Sequence, residues 1–358
     1  MKTAVILSGG GAKGSYQLGV WKALRELHIK YDIVTGTSIG AINGVLMCEK
    51  SYFKAKRIWH KLNLEYLFNE LPKSNKDIDI LKLFGGNFIK NGGMDIKKIE
   101  TIIEKNVNKR KFYNSKIDFG LITYNFTAKK PLILSKDKIP SDKLTDYLMA
   151  SATCFPAFKM KEIDGDKYID GGYYDNLPIE LAIKLGAEFL IIVDLGSPGF
   201  KKRPSKNIDS ILIKPKNNIS FFLNFDEKVA KINVRFGYND TLKAFKKLDG
   251  NKFTFKKNTI STYYLNNKDN LLDTTEKKFL TSIEELGKIF KLDESKIYSL
   301  HNFIKELNKK IETEGSLDKN TIKSIKGLTK KINSKTLILY FLSNLENNKK
   351  TTKLSKIF

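Results

Sequence analysis

Residues 3–47 read TAVILSGGGAKGSYQLGVWKALRELHIKYDIVTGTSIGAINGVLM, and their apolar spacing decides the fold class. Thr3–Ser8 is a short apolar run bounded by Gly9, Gly10 and Gly11, the pattern of a buried strand. From Ser15 to Leu27 the apolar residues Leu18, Val20, Trp21, Leu24 and Leu27 form a helical stripe. Tyr31–Thr35 repeats the strand pattern and stops at Gly36. Ser38–Met47 is nearly all apolar, so the helix it predicts is buried. Strand, helix, strand, helix predicts a mainly parallel sheet covered by helices on both faces, a three-layer α/β/α architecture.

Working outward, Lys50–Arg110 reads as helices and loops punctuated by Gly85-Gly86 and Gly92-Gly93. Ile117–Phe126 and Leu132–Leu134 predict a strand pair, and Asp142–Ala152 a helix. Asp166–Tyr168 reads as a tight turn leading into a short strand, and Pro178 opens a helix at its favoured first position. Phe189–Asp194 and Ile208–Ile213 predict two more strands, and Asp226–Lys247 a long amphipathic helix. Helices are further expected at Thr274–Ile289, Ser295–Glu312, Lys319–Ile332 and Leu337–Asn347. The organisation this implies is a catalytic α/β domain over 1–250, then a Lys-rich helical region over 251–358.

The whole chain has 358 residues, 41% of them hydrophobic and 11% aromatic, enough for a sizeable core. Its apolar runs fall short of the roughly 18 residues that span a bilayer, and no secretory leader is recognisable. A cytoplasmic protein, peripheral at a membrane at most, is expected. Cys48 and Cys154 are the only cysteines and lack metal-ligand spacing, so neither a disulfide framework nor a metal site is expected. The net charge is +25. Residues 1–200 carry 30 basic and 22 acidic side chains, and residues 201–358 carry 34 and 17. That field suits anionic lipid or nucleic acid equally, but no RNA-binding motif or continuous basic block accompanies it.

Three segments carry chemistry. Gly9-Gly10-Gly11-Ala12-Lys13-Gly14 lies between the first strand and first helix, where glycine lets backbone N–H groups face a pocket beside the positive end of a helix. It also satisfies the dinucleotide fingerprint, although a phosphate-binding Walker loop is excluded because Ser15 stands where lysine is required. The second segment, Gly36-Thr37-Ser38-Ile39-Gly40, is a G-x-S-x-G between a strand and a helix, the setting of a nucleophile elbow. It weakens the dinucleotide reading, which needs an acid at the end of that strand; Asp32 stands at its beginning. The third, Asp170-Gly171-Gly172, follows a short strand and by itself is equally a plain turn.

Together these segments resemble the patatin-like phospholipase family: G-G-G-x-K/R-G, then G-x-S-x-G about two dozen residues on, then a distal D-G-G. Ala150-Ser151-Ala152 with Phe155-Pro156, and Asp175-Asn176-Leu177-Pro178, add to the similarity. It covers about residues 3–200. Ser8 departs from it, since many members carry an acid before the glycines. The resemblance implies that Ser38 attacks an ester carbonyl to form an acyl-enzyme, with Asp170 taking its proton directly and neither histidine, metal nor cofactor involved. It implies an oxyanion hole from the backbone of Gly9, Gly10, Gly11 and Ala12, with Lys13, Gly14, Gly36, Gly40, Gly171 and Gly172 in support. The substrate it implies is a phospholipid or other acyl ester.

Other arrangements stay open from the residues alone. A triad of Ser38, Asp170 or Asp194, and His301 is formally available, but His28, His60 and His301 all read more simply as structural. Ile219–Phe225 reads first as core packing against the tail helices and second as an acyl-pocket wall. Tyr66, Leu67 and Phe68 are placed to form a mobile cap. A thioesterase, neutral-lipid lipase or general carboxylesterase would share every motif, because pocket shape sets the choice. A nucleotide-dependent oxidoreductase and a nucleic-acid-binding protein are the readings from other classes.

Overall fold

A computed structural model describes residues 1–205, 207–266 and 275–313. The chain divides into two compact units, Met1–Ala244 and a second beginning at Phe245. In the first unit the elements run β1 Thr3–Leu7, α1 Ser15–Glu26, β2 Ile33–Thr37 and α2 Ile39–Cys48. Five helices follow, α3 Tyr52–Trp59, α4 Leu64–Leu67, α5 Asp77–Asn91, α6 Lys97–Asn106 and α7 Lys109–Tyr113. Then come β3 Asp118–Asn125, β4 Lys130–Ser135, α8 Leu144–Ala152, β5 Lys161–Ile163 and β6 Asp166–Asp170. The unit closes with α9 Ile179–Lys184, β7 Phe189–Val193, β8 Ser210–Ile213 and α10 Glu227–Ala244.

The sheet order is β5-β6-β3-β2-β1-β7-β8, with β4 also paired to β3. From β3 through β8 every neighbouring pair in that order is parallel, and β2 is buried throughout. Continuous apolar strands of this kind need cover on both faces, which the helices supply. The mainly parallel α/β fold expected from residues 3–47 is the one observed. The expected turn at Asp166 lies two residues earlier, at Asp164 (φ 52°) and Gly165 (φ 85°), and a missed strand, β5, completes that hairpin.

The register along β3 does the work of positioning. Gly120–Ile122 pairs with β2 and β4, and Thr123–Asn125 with β4 and β6. A strand has two edges, so β2 and β6 share one edge of β3 and meet head-on. Ile122 pairs with Thr37, the last residue of β2, and Thr123 pairs with Asp170, the last residue of β6. Ser38 and Asp170, 132 positions apart in the chain, are thereby delivered to one point.

Helix α10 belongs to the first unit, packed on α1 at backbone contact. A Cβ on Gly19 would lie 2.0 Å from the Val234 carbonyl oxygen, and one on Gly237 2.0 Å from that of Tyr16. Polar pairs fix this crossing: Tyr16 Oη donates to Asp240 Oδ2 at 2.9 Å, and Asn233 Nδ2 to Ser15 Oγ at 3.0 Å.

In the second unit, β9 Leu248–Asp249, β10 Thr254–Lys256 and β11 Ile297–Tyr298 form a small sheet in the order β11-β10-β9. With α11 Thr259–Asn266, α12 Glu276–Ile289 and α13 Leu300–Thr313 it encloses a core of Phe253, Phe255, Phe279, Ile283 and Phe303. The single helix expected over Ser295–Glu312 is corrected to β11 followed by α13. The break has a local cause: Ser299 accepts the Asn302 N–H through Oγ at 3.2 Å, capping a helix that starts only at Leu300. The helices expected at Lys319–Ile332 and Leu337–Asn347, and the first residue of Thr274–Ile289, lie outside the described residues. No helix among the described residues is long and apolar enough to cross a membrane.

Candidate active site

Ser38 sits between β2 and α2 with φ 58° and ψ −130°, a conformation that a non-glycine residue holds at a cost of about 1–3 kcal/mol. The glycines two places away make the bend possible. A Cβ at Gly36 would lie 2.3 Å from the Gly40 carbonyl oxygen, and one at Gly40 2.3 Å from that of Leu7. Ser151 on α8 clamps the strained residue. Its Oγ accepts the Ser38 N–H at 2.9 Å and donates to the Ile122 carbonyl at 2.7 Å, fastening the elbow to β3.

Asp170 is buried at the end of β6, where its Oδ1 accepts the Gly172 N–H at 2.7 Å and it lines the same cavity as Ser38. Burial pushes the carboxyl up to about 6, and the neighbouring Ser38 hydroxyl and Gly172 N–H keep it from rising further. Gly171 passes so close to β3 that a Cβ would stand 2.1 Å from the Ile122 carbonyl oxygen. Asp175 is also raised, to about 6, chiefly by burial. Its backbone carbonyl, however, receives the Thr37 hydroxyl at 2.8 Å, which ties it to the frame.

The glycine-rich loop divides into spent and open donors. Gly9 N–H goes to the Asn176 carbonyl at 3.1 Å, and Ala12 N–H to the Phe222 carbonyl at 2.8 Å. Gly9 and Ala12 are therefore corrected: their N–H groups are occupied and cannot serve an oxyanion in this conformation. Among the described residues no backbone carbonyl takes the N–H of Gly10 or Gly11, and both glycines line the cavity with Ser38. Lys13 N–H returns to the Gly10 carbonyl, and burial lowers the pKa of its ammonium while Asp194 raises it.

Behind the loop runs a buried chain of hydrogen bonds: Trp59 Nε1 to Asn43 Oδ1 (3.0 Å), Asn43 Nδ2 to Gln17 Oε1 (2.8 Å), and Gln17 Nε2 to the Ser8 carbonyl (2.8 Å). Asn43 also holds the Gly14 carbonyl at 3.1 Å. At the departing position, Ser8 Oγ accepts the Leu195 N–H at 2.9 Å.

These groups open into a cavity of about 310 Å³. Its walls include Phe158, Phe200, Phe222, Leu223 and Phe225. The first reading of Ile219–Phe225, as core only, is corrected: Ile219 and Leu223 are buried, but Phe222, Leu223 and Phe225 form the wall of the cavity. The cap expected at Tyr66–Phe68 is also corrected. Leu67 and Phe68 are core, with the Phe68 ring 6.0 Å from Phe158 and 5.4 Å from Phe84, so they back the wall instead of covering it. Cys154 lines the cavity too, but burial pushes its thiol up to about 12, which leaves it unreactive. No histidine is among the described lining residues. Sequence reasoning missed Ser197 and Phe200, for which the turn composition of Gly196-Ser197-Pro198-Gly199 is the available signal; Asn176, part of the similarity at Asp175-Asn176-Leu177-Pro178, proves to line the cavity.

A strand-to-helix serine elbow facing a carboxylate, beside glycine N–H groups and an apolar cavity, defines the class of site an acyl hydrolase needs. The family model for patatin-like phospholipase matches residues 5–183, and the chain belongs to that family. It is 31% identical over 205 residues to the patatin-like phospholipase domain-containing protein 7 of Mus musculus, covering 54% of this chain and 14% of the relative. It is 30% identical over 207 residues to the lysophospholipase nte1 of Aspergillus terreus, covering 54% and 12%. The chain thus spans a small part of the curated relatives it matches. The crystal structure of VipD from Legionella pneumophila aligns with a TM-score of 0.46 and 16% identity, covering 100% of this chain and 90% of that one.

Proposed function

We propose that this protein hydrolyses fatty-acyl esters of phospholipids, with Ser38 as nucleophile and Asp170 as its base. The observation that carries the reading is Ser38, held at φ 58°, on one apolar cavity together with the buried Asp170 carboxylate. A carboxyl raised to about 6 is ionised at neutral pH yet basic enough to accept a hydroxyl proton in the transition state. The strain at Ser38 holds its oxygen clear of the backbone, and Gly10 and Gly11 offer two N–H groups to the charge that develops on the carbonyl oxygen. After the alcohol leaves with the proton from Asp170, water attacks the acyl-enzyme by the same route and frees the fatty acid.

A volume near 310 Å³ is at the small end for ligand cavities and suits a single acyl chain. The lysophospholipase name of the Aspergillus relative agrees with a one-chain substrate. Contact with an anionic membrane surface is supported by the +25 charge, each basic side chain near such a surface adding about 1 kcal/mol.

The test is fatty-acid release from lysophospholipid micelles and from mixed phospholipid vesicles, by wild type and Ser38→Ala. Release that depends on Ser38 is expected, fastest on the single-chain substrate. Activity on a soluble p-nitrophenyl ester alone would make this an esterase, and release undiminished in Ser38→Ala would remove the proposed nucleophile.

A further inference from the structure

We infer that the hydroxyl of Ser197 is a third hydrogen-bond donor to the oxyanion, beside the N–H groups of Gly10 and Gly11. The inference rests on the hydrolase reading above and extends it to a residue outside the three motifs.

Ser197 lines the cavity and is 7% exposed, and its Oγ is fully buried with no hydrogen-bond partner among the described residues. A buried hydroxyl without a partner is unfavourable and rarely kept without a ligand to satisfy it. Its location narrows what that ligand atom is. A Cβ placed on Gly10 would stand 2.6 Å from Ser197 Oγ, so the hydroxyl borders a cavity-lining residue whose N–H has no backbone acceptor among the described residues.

The segment that carries it is fixed on several sides. Lys201 Nζ holds both oxygens of Asp194, at 2.8 and 2.7 Å, and Gly196 N–H caps the same carboxylate at 2.8 Å. Leu195 N–H is held by Ser8 Oγ, Phe200 N–H by the Gly172 carbonyl at 3.0 Å, and the Pro198 carbonyl by Asn176 Nδ2 at 3.1 Å. Gly196 at φ 64° and Gly199 at φ 131° supply the bends on either side of Ser197. The loop is thus bonded to the glycine-rich segment on one side and to the D-G-G segment on the other. Its central hydroxyl is left without a partner among the described residues, at the edge of the cavity that both segments line. That is the preorganisation expected of a group waiting for a charge that exists only during reaction.

In the step concerned, Ser38 Oγ bonds to the carbonyl carbon as its proton passes to Asp170. The carbonyl electron pair moves onto oxygen, where Gly10, Gly11 and Ser197 donate. Collapse restores the carbonyl and breaks the ester C–O bond, the alcohol taking the proton from Asp170.

The experiment compares purified wild type, Ser38→Ala and Ser197→Ala on a p-nitrophenyl acyl ester. It adds the rate of labelling by a fluorophosphonate probe and a thermal melt. For Ser197→Ala we expect kcat and kcat/KM to fall by the same factor, about 10², with KM unchanged and Tm unchanged or raised. A rise in KM at constant kcat would overturn the inference in favour of a contact to the alcohol portion of the substrate. Wild-type kinetics in Ser197→Ala would overturn it outright, as would an activity loss matched by a lower Tm. If Ser197→Ala is unimpaired while Ser38→Ala is dead, only the Ser197 role fails. Turnover and labelling that survive in Ser38→Ala, or are absent from wild type, would instead sink the underlying hydrolase reading.

Discussion

Two sets of loops frame the cavity, and they differ in how they are specified. The Gly9–Gly14 loop and the elbow at Gly36–Gly40 act through backbone geometry. Gly11, Gly36 and Gly40 there sit against backbone that a Cβ would strike, as in the 2.3 Å between a Cβ at Gly36 and the Gly40 carbonyl oxygen. Asp194–Lys201 and Ile219–Phe225 act through what their side chains present to a space enclosed by other segments. The first set writes its function into short local patterns. The second writes it into tertiary placement, as in Phe222, a wall residue whose carbonyl is held by the Ala12 N–H at 2.8 Å.

The sharpest way to break this comparison is at the carboxylate, where both sets converge. Asp170→Asn is expected to lower kcat by about 10³–10⁴, in line with the loss of a base paired to a nucleophile. In the wild type kcat/KM should decline as pH falls below about 6, because the base must be ionised. Stability runs the opposite way. The folded-state value is raised from 3.8 to about 6, so this group's contribution is fully present below about 4 and is lost as pH rises through 6. Asp170→Asn should therefore gain up to about 3 kcal/mol at pH 8 and nothing at pH 3.5. Urea denaturation at the two pH values checks this, and equal effects at both would contradict the burial argument.

A smaller effect is expected at the backbone donors. Gly11 holds φ 52°, and a Cβ there would lie 2.2 Å from the Phe222 carbonyl oxygen. Gly11→Ala should cut kcat by at least about 10², because the added Cβ displaces both the donor loop and the Phe222 wall. Smaller again, Ser151→Ala removes the clamp on the elbow. A loss of about 1–2 kcal/mol in stability and about tenfold in kcat is expected, with KM held, since the clamp touches the nucleophile's backbone only. At the wall, Phe222→Ala should raise KM several-fold for long acyl chains and hardly for short ones, with kcat nearly constant. A chain-length series of p-nitrophenyl esters reads that difference directly.

The fold was legible as far as period and continuity could carry it. Ala4–Leu7 and Phe189–Val193 are unbroken apolar runs, the mark of parallel strands covered on both faces, and Ile33-Val34 before the small residues of the elbow carries the same signal. Strand β5 was not legible, because Lys161-Glu162-Ile163 has too few apolar residues to show a period. Residues Ile297–Tyr298 disappeared into a helical pattern for the same reason. In the site, Ser38 and Asp170 each sit in a motif, but their meeting depends on two strands ending at Ile122 and Thr123 of a third, which no single segment records. The donor roles of Gly9 and Ala12 were over-read, since glycine richness does not tell which N–H groups are already taken. Leu67 and Phe68 were misread because an apolar pair looks alike whether it will lie over a site or under it.

The close crossing of α1 and α10 has a consequence in time. The wall at 219–225 and the helix that braces the first catalytic loop are the last parts of this unit to be made. At about 5–20 residues per second, a ribosome needs roughly 4–15 s to go from Asp170 to the end of α10. Throughout that interval the nascent chain holds Ser38 and Asp170 without the 219–225 wall of the cavity or the α10 brace behind α1. On the proposed hydrolase reading, a chain built in this order reaches an acyl-cleaving form only once its own synthesis has passed that point.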